Sequence, residues 1–344
     1  VDIGVGDQKV AENPECPRCF PDNDKTIRER RVAKVILGGD THGDTDHVHW
    51  LIEKAQKEGA QAVFVLGDFG IWSHLDGGNF VRNVSLRVSK TGIPVYFLPG
   101  NHENYDLLEM YEREHERTAN GFVVIEPGVL YSPRGHRWTW SGVRFLSLGG
   151  AYSIDKPYRL QQDQATVVRA EMRREMGHRL TDRERYALST MRLSWWPQEE
   201  INDAERDRAM EGGEVDVMLT HDKPLVAKPR WNRKNIPECI PNQEQIQKVV
   251  DATQPTLLVH GHLHFAYEDK IQSTGTFVKG LDCDPEASRH SGGSGKASES
   301  YAVLDLDYRT LTTPEPGADS EHFSMKWHGS DGMVWNRDFK RKEL

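Results

Sequence analysis

From Ala33 onward the chain alternates short apolar runs with amphipathic stretches. "AKVILGG" and "QAVFVLG" are continuous apolar runs that stop at glycine, as strands covered on both faces do. Between them, "DHVHWLIEKAQKEG" puts Val48, Leu51, Ile52 and Ala55 on one helical face, with a start at Asp46 and a stop at Gly59. The pattern repeats: a helix over about Asn79–Lys90, a strand in "IPVYFLPG", and a third helix from Asp106 in "DLLEMYEREHER". A β-α-β-α-β series of this kind predicts an α/β chain with a parallel sheet.

The texture then changes. "GFVVIEPGVLY", "HRWTWSG" and "VRFLSLGG" are short strands separated by turn residues, closer to hairpins. Residues 154–213 are highly charged and helical, with arginines at 159, 169, 173, 174, 179, 183 and 185, and read as an insertion lying over the core. Strands return in "EVDVMLTH", "TLLVHGHLH", "AYEDKI" and "TFVKGLD". The expectation is thus a mostly parallel half followed by an antiparallel half. "ASRHSGGSGKASES" (287–300) has the composition of a flexible loop, and "YAVLDLDYRTL" reads as a final strand pair. Residues 1–31 lack any period and read as an extension; 32–313 form the domain; 314–344 read as a peripheral tail.

Composition narrows the class. The 344 residues carry a net charge of −9, which argues against a general nucleic-acid-binding surface. No stretch reaches the roughly 20 apolar residues of a membrane span, so no membrane partner is expected. Four cysteines are too few for a disulfide scaffold; with no leader-like start, a reducing, cytoplasmic location is expected. Cys16 and Cys19 ("CPRC") read as a turn with two ordinary thiols; a structural zinc site would have to borrow Cys239 and Cys283.

The chemistry lies where the strands stop. The first three end "GGDTHGD", "LGDFG" and "LPGNHE"; later ones end "LTH" and "VHGHLH". Ligands of open α/β sheets gather at the carboxyl ends of strands. Five strand ends therefore aim Asp40, His42, Asp68, Asn101, His102, His221, His262 and His264 at one region. A lone Asp or His at such a place is ordinary, but five converging segments are not. Gly39, Gly67, Gly100 and Gly261 each precede a candidate ligand, where glycine permits a sharp exit and close backbone approach. The donors are oxygen and imidazole nitrogen with no cysteine, which suits Mn, Fe, Zn or Mg, Mn favoured. There are more of them than one ion needs, and paired ions about 3.5–4 Å apart suit phosphoester hydrolysis.

The ordered series "GDTHGD", "GDFG", "GNHE", "TH", "GHLH" resembles that of calcineurin-like metallophosphoesterases. "GGAYSIDKPYR" with "SWWPQEE" resembles a bacterial and phage branch of that family. The resemblance implies a four-layer α/β/β/α sandwich with two mixed central sheets. It implies two divalent ions: Asp40, His42 and His264 on the first, Asn101, His221 and His262 on the second, and Asp68 bridging. It implies attack on phosphorus by a metal-bridging hydroxide, with Asp68 and His102 catalytic and His102 the general acid. Asp44 and Glu103 are expected to support neighbouring ligands. In phosphoprotein phosphatases the second motif continues to an Asp-Arg pair; Ile71 and Trp72 stand there instead. That leaves the orientation of His102 open, with Glu103 or Asp106 as stand-ins.

The smaller features weigh as follows. Lys228, Arg230 and Arg233 in "KPRWNRK" read equally as a substrate-phosphate patch or a solvated loop. Trp195 and Trp196 read as anchors of the insertion rather than base-stacking platforms. His47 and His49 read as packing or surface residues, His260 as buried in its strand, and Arg169–Arg185 as a solvated helix face. The function expected is a metal-dependent phosphodiesterase acting on a nucleotide or short nucleic acid. The alternatives are a phosphomonoesterase, including protein phosphatase, and a non-catalytic scaffold of the same fold.

Overall fold

The structure is a computed structural model that describes residues 31–72, 77–229, 236–314 and 323–326. Cys16, Cys19, Arg230 and Arg233 lie outside the described residues. The chain opens with β1 (Lys34–Gly38), α1 (Thr45–Glu58), β2 (Ala62–Val65), α2 (Gly77–Thr91), β3 (Val95–Phe97) and α3 (Tyr105–Glu114). The hairpins β4 (Val123–Glu126)–β5 (Val129–Tyr131) and β6 (Arg137–Trp140)–β7 (Val143–Leu148) follow. Next come α4 (Lys156–Glu175), α5 (Asp182–Thr190), α6 (Asp203–Met210), β8 (Val217–Thr220), α7 (Ile240–Thr253) and β9 (Leu257–His260). The chain continues with β10 (Tyr267–Lys270), β11 (Phe277–Gly280), α8 (Pro285–Ser291), β12 (Tyr301–Asp305), β13 (Thr310–Thr313) and β14 (Phe323–Lys326).

Two mixed sheets result, ordered β14-β13-β12-β1-β2-β3-β5-β4 and β10-β11-β9-β8-β7-β6. Strand alternation sorts the side chains into layers. Val35, Leu37, Phe64 and Leu66 join Trp138, Phe145, Val217 and Leu257 between the sheets. Ile36, Val63 and Val65 face the other way, onto Val48, Leu51 and Ile52 of α1 and Val84 of α2. On the far side Met218 and Leu258 pack against Ile246, Val249 and Val250 of α7. This is the expected α/β/β/α sandwich. No helix among the described residues is long and apolar enough to cross a membrane.

Four expectations change. The second half is only partly antiparallel: the hairpins and the β12–β13 pair are, but in the second sheet β7, β8, β9 and β11 run parallel, with antiparallel strands only at its edges. The crossover helix α7, whose Ile246, Val249 and Val250 have helical spacing, makes the β8–β9 pairing possible. Residues 287–300 are not a flexible loop; they hold most of α8 and a 3₁₀ turn, because buried Asp282 accepts from the Ser288 and Ser294 hydroxyls. Within the stretch read as a tail, residues 323–326 form β14, an edge strand on β13. α1 starts earlier than Asp46, because the Asp44 carboxylate caps the backbone N–H groups of Asp46 and His47.

Phe64 stacks on Tyr96 of the neighbouring strand and, across the inter-sheet layer, on Trp138, and is fully buried. Phe64→Ala is expected to destabilise the fold by about 3–5 kcal/mol, read as a lowered midpoint in equilibrium urea unfolding.

Candidate metal centre

The loops after β1, β2, β3, β8 and β9 meet at the top of the seam between the two sheets, and most of the candidate donors lie there. Asp40, His42 and Asp68 bring their donor atoms within 4.8 Å of one another. The His42 Nε2 stands 3.8 Å from Asp68 Oδ2 and 4.0 Å from Asp40 Oδ2, and His264 Nε2 lies 3.1 Å from Asp40 Oδ2. On the other flank His221 Nε2 is 2.9 Å from Asn101 Oδ1 and 3.6 Å from Asp68 Oδ1. The His262 ring lies 4.9 Å from that of His221, and its backbone N–H donates to Asp40.

The backbone shows why these residues sit as they do. His42, Asp68, His262 and His264 all have φ between 45° and 65°, the left-handed region. Asp and His tolerate it better than most side chains, and such strain collects at functional sites. His42 therefore does not continue an extended strand beyond Asp40; the chain turns there. Thr41 points away, its hydroxyl donating to the Phe69 carbonyl. All four preceding glycines are needed for space: a Cβ on Gly100 or Gly261 would collide with the carboxylate of Asp68 or Asp40, one on Gly67 with the His221 ring, and one on Gly39 with the Asp282 carbonyl.

Three of the imidazoles have one nitrogen tied back and the other turned inward. The His42 Nδ1–H donates to Asp284 Oδ2 at 2.8 Å, and His221 Nδ1–H to the Leu66 carbonyl at 2.8 Å. His264 Nδ1 lies 3.0 Å from Ser291 Oγ. Holding the ring and tautomer from behind is how metal-ligating histidines are oriented. His260 is saturated between the Gly261 carbonyl and the Tyr267 hydroxyl and has no donor to offer.

The electrostatics call for positive charge. Asp40 and Asp68 are 1% exposed, and burial alone would raise both. The charge of His221, the His264 hydrogen bond on Asp40 and the charge of His102 on Asp68 reverse this; Asp40 falls to about 2 and Asp68 well below the usual range. Burial likewise disfavours charge on His42 and His221, yet Asp284, Asp40 and Asp68 push His42 up to about 9, and Asp68 and Asp40 push His221 up to about 10. Two buried carboxylates pull cations to themselves here. Divalent ions fit this nitrogen and oxygen donor set and would take the place of those protons.

Several residues escaped the sequence. Cys283 sits beside the centre, contrary to the expectation of no cysteine: His42, His264 and Cys283 form a second group within 4.8 Å. Ser153 Oγ accepts from the Asn101 amide at 2.9 Å, which turns Asn101 Oδ1 toward His221. Ser153 donates to Glu199, and Glu199 pairs with Arg159 at 2.8 Å. Arg159, on α4, also donates to the Asn101 carbonyl. Arg159 was visible only as one arginine of the insertion, whereas "DCD" after a strand was a local signal for Cys283 and Asp284.

Other roles are corrected. Asp44 caps α1. Glu103 accepts from the Gly70 and Gly100 N–H groups, clamping two of the loops, and burial pushes it up to about 7. Neither Glu103 nor Asp106 holds the His102 ring, since Asp106 accepts from Trp196 Nε1 and the Tyr186 hydroxyl. Trp196 is a buried anchor, as expected. His47 is buried against Trp50, and His49 faces the Asn83 carbonyl. Lys228 is exposed, its backbone N–H donating to Asp269. His102, whose ring centre is 6.3 Å from that of His42, lines a cavity of about 200 Å³ between the core loops and the insertion.

A family model described as calcineurin-like phosphoesterase matches residues 33–266. A search of the curated proteins finds no match. Among solved structures, a Thermus thermophilus protein is 13% identical, with 83% of this chain and 99% of that one covered, at a TM-score of 0.46. A dimetal phosphatase from Danio rerio is 14% identical, with 87% and 100% covered, at 0.45. An archaeal phosphodiesterase is 11% identical, with 81% and 96% covered, at 0.36.

Asp284→Asn keeps the side-chain cap on α8, because Asn caps as well as Asp, but removes the carboxylate behind His42. Affinity for Mn²⁺ in calorimetric titration is expected to fall about 10- to 100-fold without loss of fold.

Proposed function

Because this chain belongs to the calcineurin-like phosphoesterase family, with the match spanning residues 33–266, we propose that it is a binuclear metal-dependent phosphodiesterase acting on nucleotide or nucleic-acid diesters. The observation that carries the reading is the buried pair Asp40 and Asp68, ringed by inward-facing imidazole nitrogens. Asp40, His42 and His264 would hold one ion and Asn101, His221 and His262 the other, with the Asp68 carboxylate within reach of both groups. The GDFG, GNHE and SWWPQEE motifs support a bacterial or phage branch of the family.

Two divalent ions, Mn ahead of Fe, Zn or Mg, would supply Lewis acidity to the phosphoryl oxygens and a water that is nucleophilic near neutral pH. The protein's own part is orientation and proton transfer. His102 stands on the cavity side and gives its proton to the departing oxygen. Burial, with the Arg159 charge, holds its imidazole down to about 4. A diester is favoured over a monoester because Ile71 is buried in the core and Trp72 is not cationic, so that loop offers no guanidinium to a second phosphate charge. Arg159 does not replace it, being tied to Glu199, Ser153 and the Asn101 carbonyl.

Asp68→Ala is expected to abolish hydrolysis of bis(p-nitrophenyl) phosphate and to lower bound metal; retained turnover would overturn the reading. The monoester p-nitrophenyl phosphate, assayed alongside with Mn²⁺, should be the poorer substrate. His102→Ala should leave metal content intact and slow hydrolysis by about 10²- to 10⁴-fold, most for poor leaving groups.

A further inference from the structure

The cavity beside His102 has two walls of different origin. Trp72 and His102 come from the loops after β2 and β3, while Arg159, Arg183, Leu193 and Trp196 come from the insertion. Its volume of about 200 Å³ is smaller than the roughly 300–1,000 Å³ of pockets for drug-sized ligands, so it suits one ring system and not a polymer. Trp72 is 39% exposed although it is the bulkiest side chain of its wall. Its ring is backed by the Gly43 backbone, where an added Cβ would meet it at 3.4 Å, so the ring has a firm seat. Leu193 and Trp196 are buried apolar neighbours on the insertion side.

The two arginines differ. Arg159 is spent on internal partners. Arg183 is exposed and makes no hydrogen bond or ion pair with any described residue. It is a free guanidinium at the mouth of an aromatic cavity, a pairing that matches a flat ring carrying an anion. His102 fixes the orientation, because the group beside the general acid is the one that leaves.

Resting on the phosphodiesterase reading, we propose that this cavity is a leaving-group subsite for a nucleoside monophosphate. The base lies against Trp72, the scissile oxygen meets His102, and the nucleotide's own phosphate meets Arg183. Water adds to the scissile phosphorus, and the P–O bond to the nucleotide in the cavity breaks. That oxygen takes its proton from His102, and the new phosphomonoester stays on the side away from the cavity. The insertion is then half of a specificity pocket as well as a support for Asn101.

The test is calorimetric titration of the Mn²⁺-loaded full chain with AMP, adenosine and ribose 5-phosphate. AMP should bind tightest. Trp72→Ala should weaken AMP and adenosine about 10- to 100-fold, with Trp72→Phe recovering most of the loss. Arg183→Ala should reduce AMP to the affinity of adenosine. The subsite is overturned if ribose 5-phosphate binds as well as AMP, if Trp72→Ala leaves AMP binding unmoved, or if the advantage of AMP over adenosine survives Arg183→Ala. Turnover of bis(p-nitrophenyl) phosphate is read separately: its absence defeats the phosphodiesterase reading itself, whereas turnover without base-dependent binding defeats only the subsite.

Discussion

The arrangement turns on two carboxylates, Asp40 and Asp68, buried within reach of one another at the seam of two sheets. Like charges out of water are costly, and each needs a fixed set of partners. Asp40 accepts from the His262 backbone and the His264 ring, and Asp68 from the His102 backbone. Those bonds join the β1 loop to the β9 loop and the β2 loop to the β3 loop. The residual negative charge draws in the imidazoles and is what a divalent ion would answer. The two sheets are thus connected by polar chemistry at the top and by the aromatic layer around Phe64 and Trp138 below.

A second constraint acts on Asn101. A side-chain amide can present either oxygen or nitrogen, and the wrong choice would put a donor where an acceptor is needed. Ser153 removes the choice by accepting from the amide nitrogen, and Glu199 and Arg159 hold Ser153. Burial pushes Glu199 up to about 8 even against Arg159, so this is an expensive arrangement for a mere surface decoration. The insertion is wired into the centre through it, and Trp196 on Asp106 fixes the same element to α3.

Much of this was legible because its cause is local. Alternating burial, the Gly59 stop of α1 and the strand-end donors are properties of neighbouring residues, and the sequence displays them. The preference for His262 and His264 over His260 came instead from the family resemblance, and His260 is indeed tied up in its own hydrogen bonds. What escaped depends on distant pairs. Asp284 lies 242 residues from His42, and Glu199 lies 46 from Ser153. No periodicity records such contacts. Residues 287–300 misled for a related reason: Ser and Gly resemble linker composition until buried Asp282 collects their hydroxyls. The parallel character of the second sheet was hidden because its crossovers pass through the insertion and α7, far longer than a hairpin turn.

The glycines link the two levels. Read in sequence, a glycine before each donor suggests freedom to turn. In the structure Gly100 and Gly261 are there because the carboxylates of Asp68 and Asp40 press against them, with no room for a Cβ. The turning is shared: Gly67 takes a positive φ, and so do the donors His42, Asp68, His262 and His264. Strain therefore falls on the donors, because glycine takes a positive φ freely, and space on the residues beside them. That division lets five separate loops bring their donors to one point.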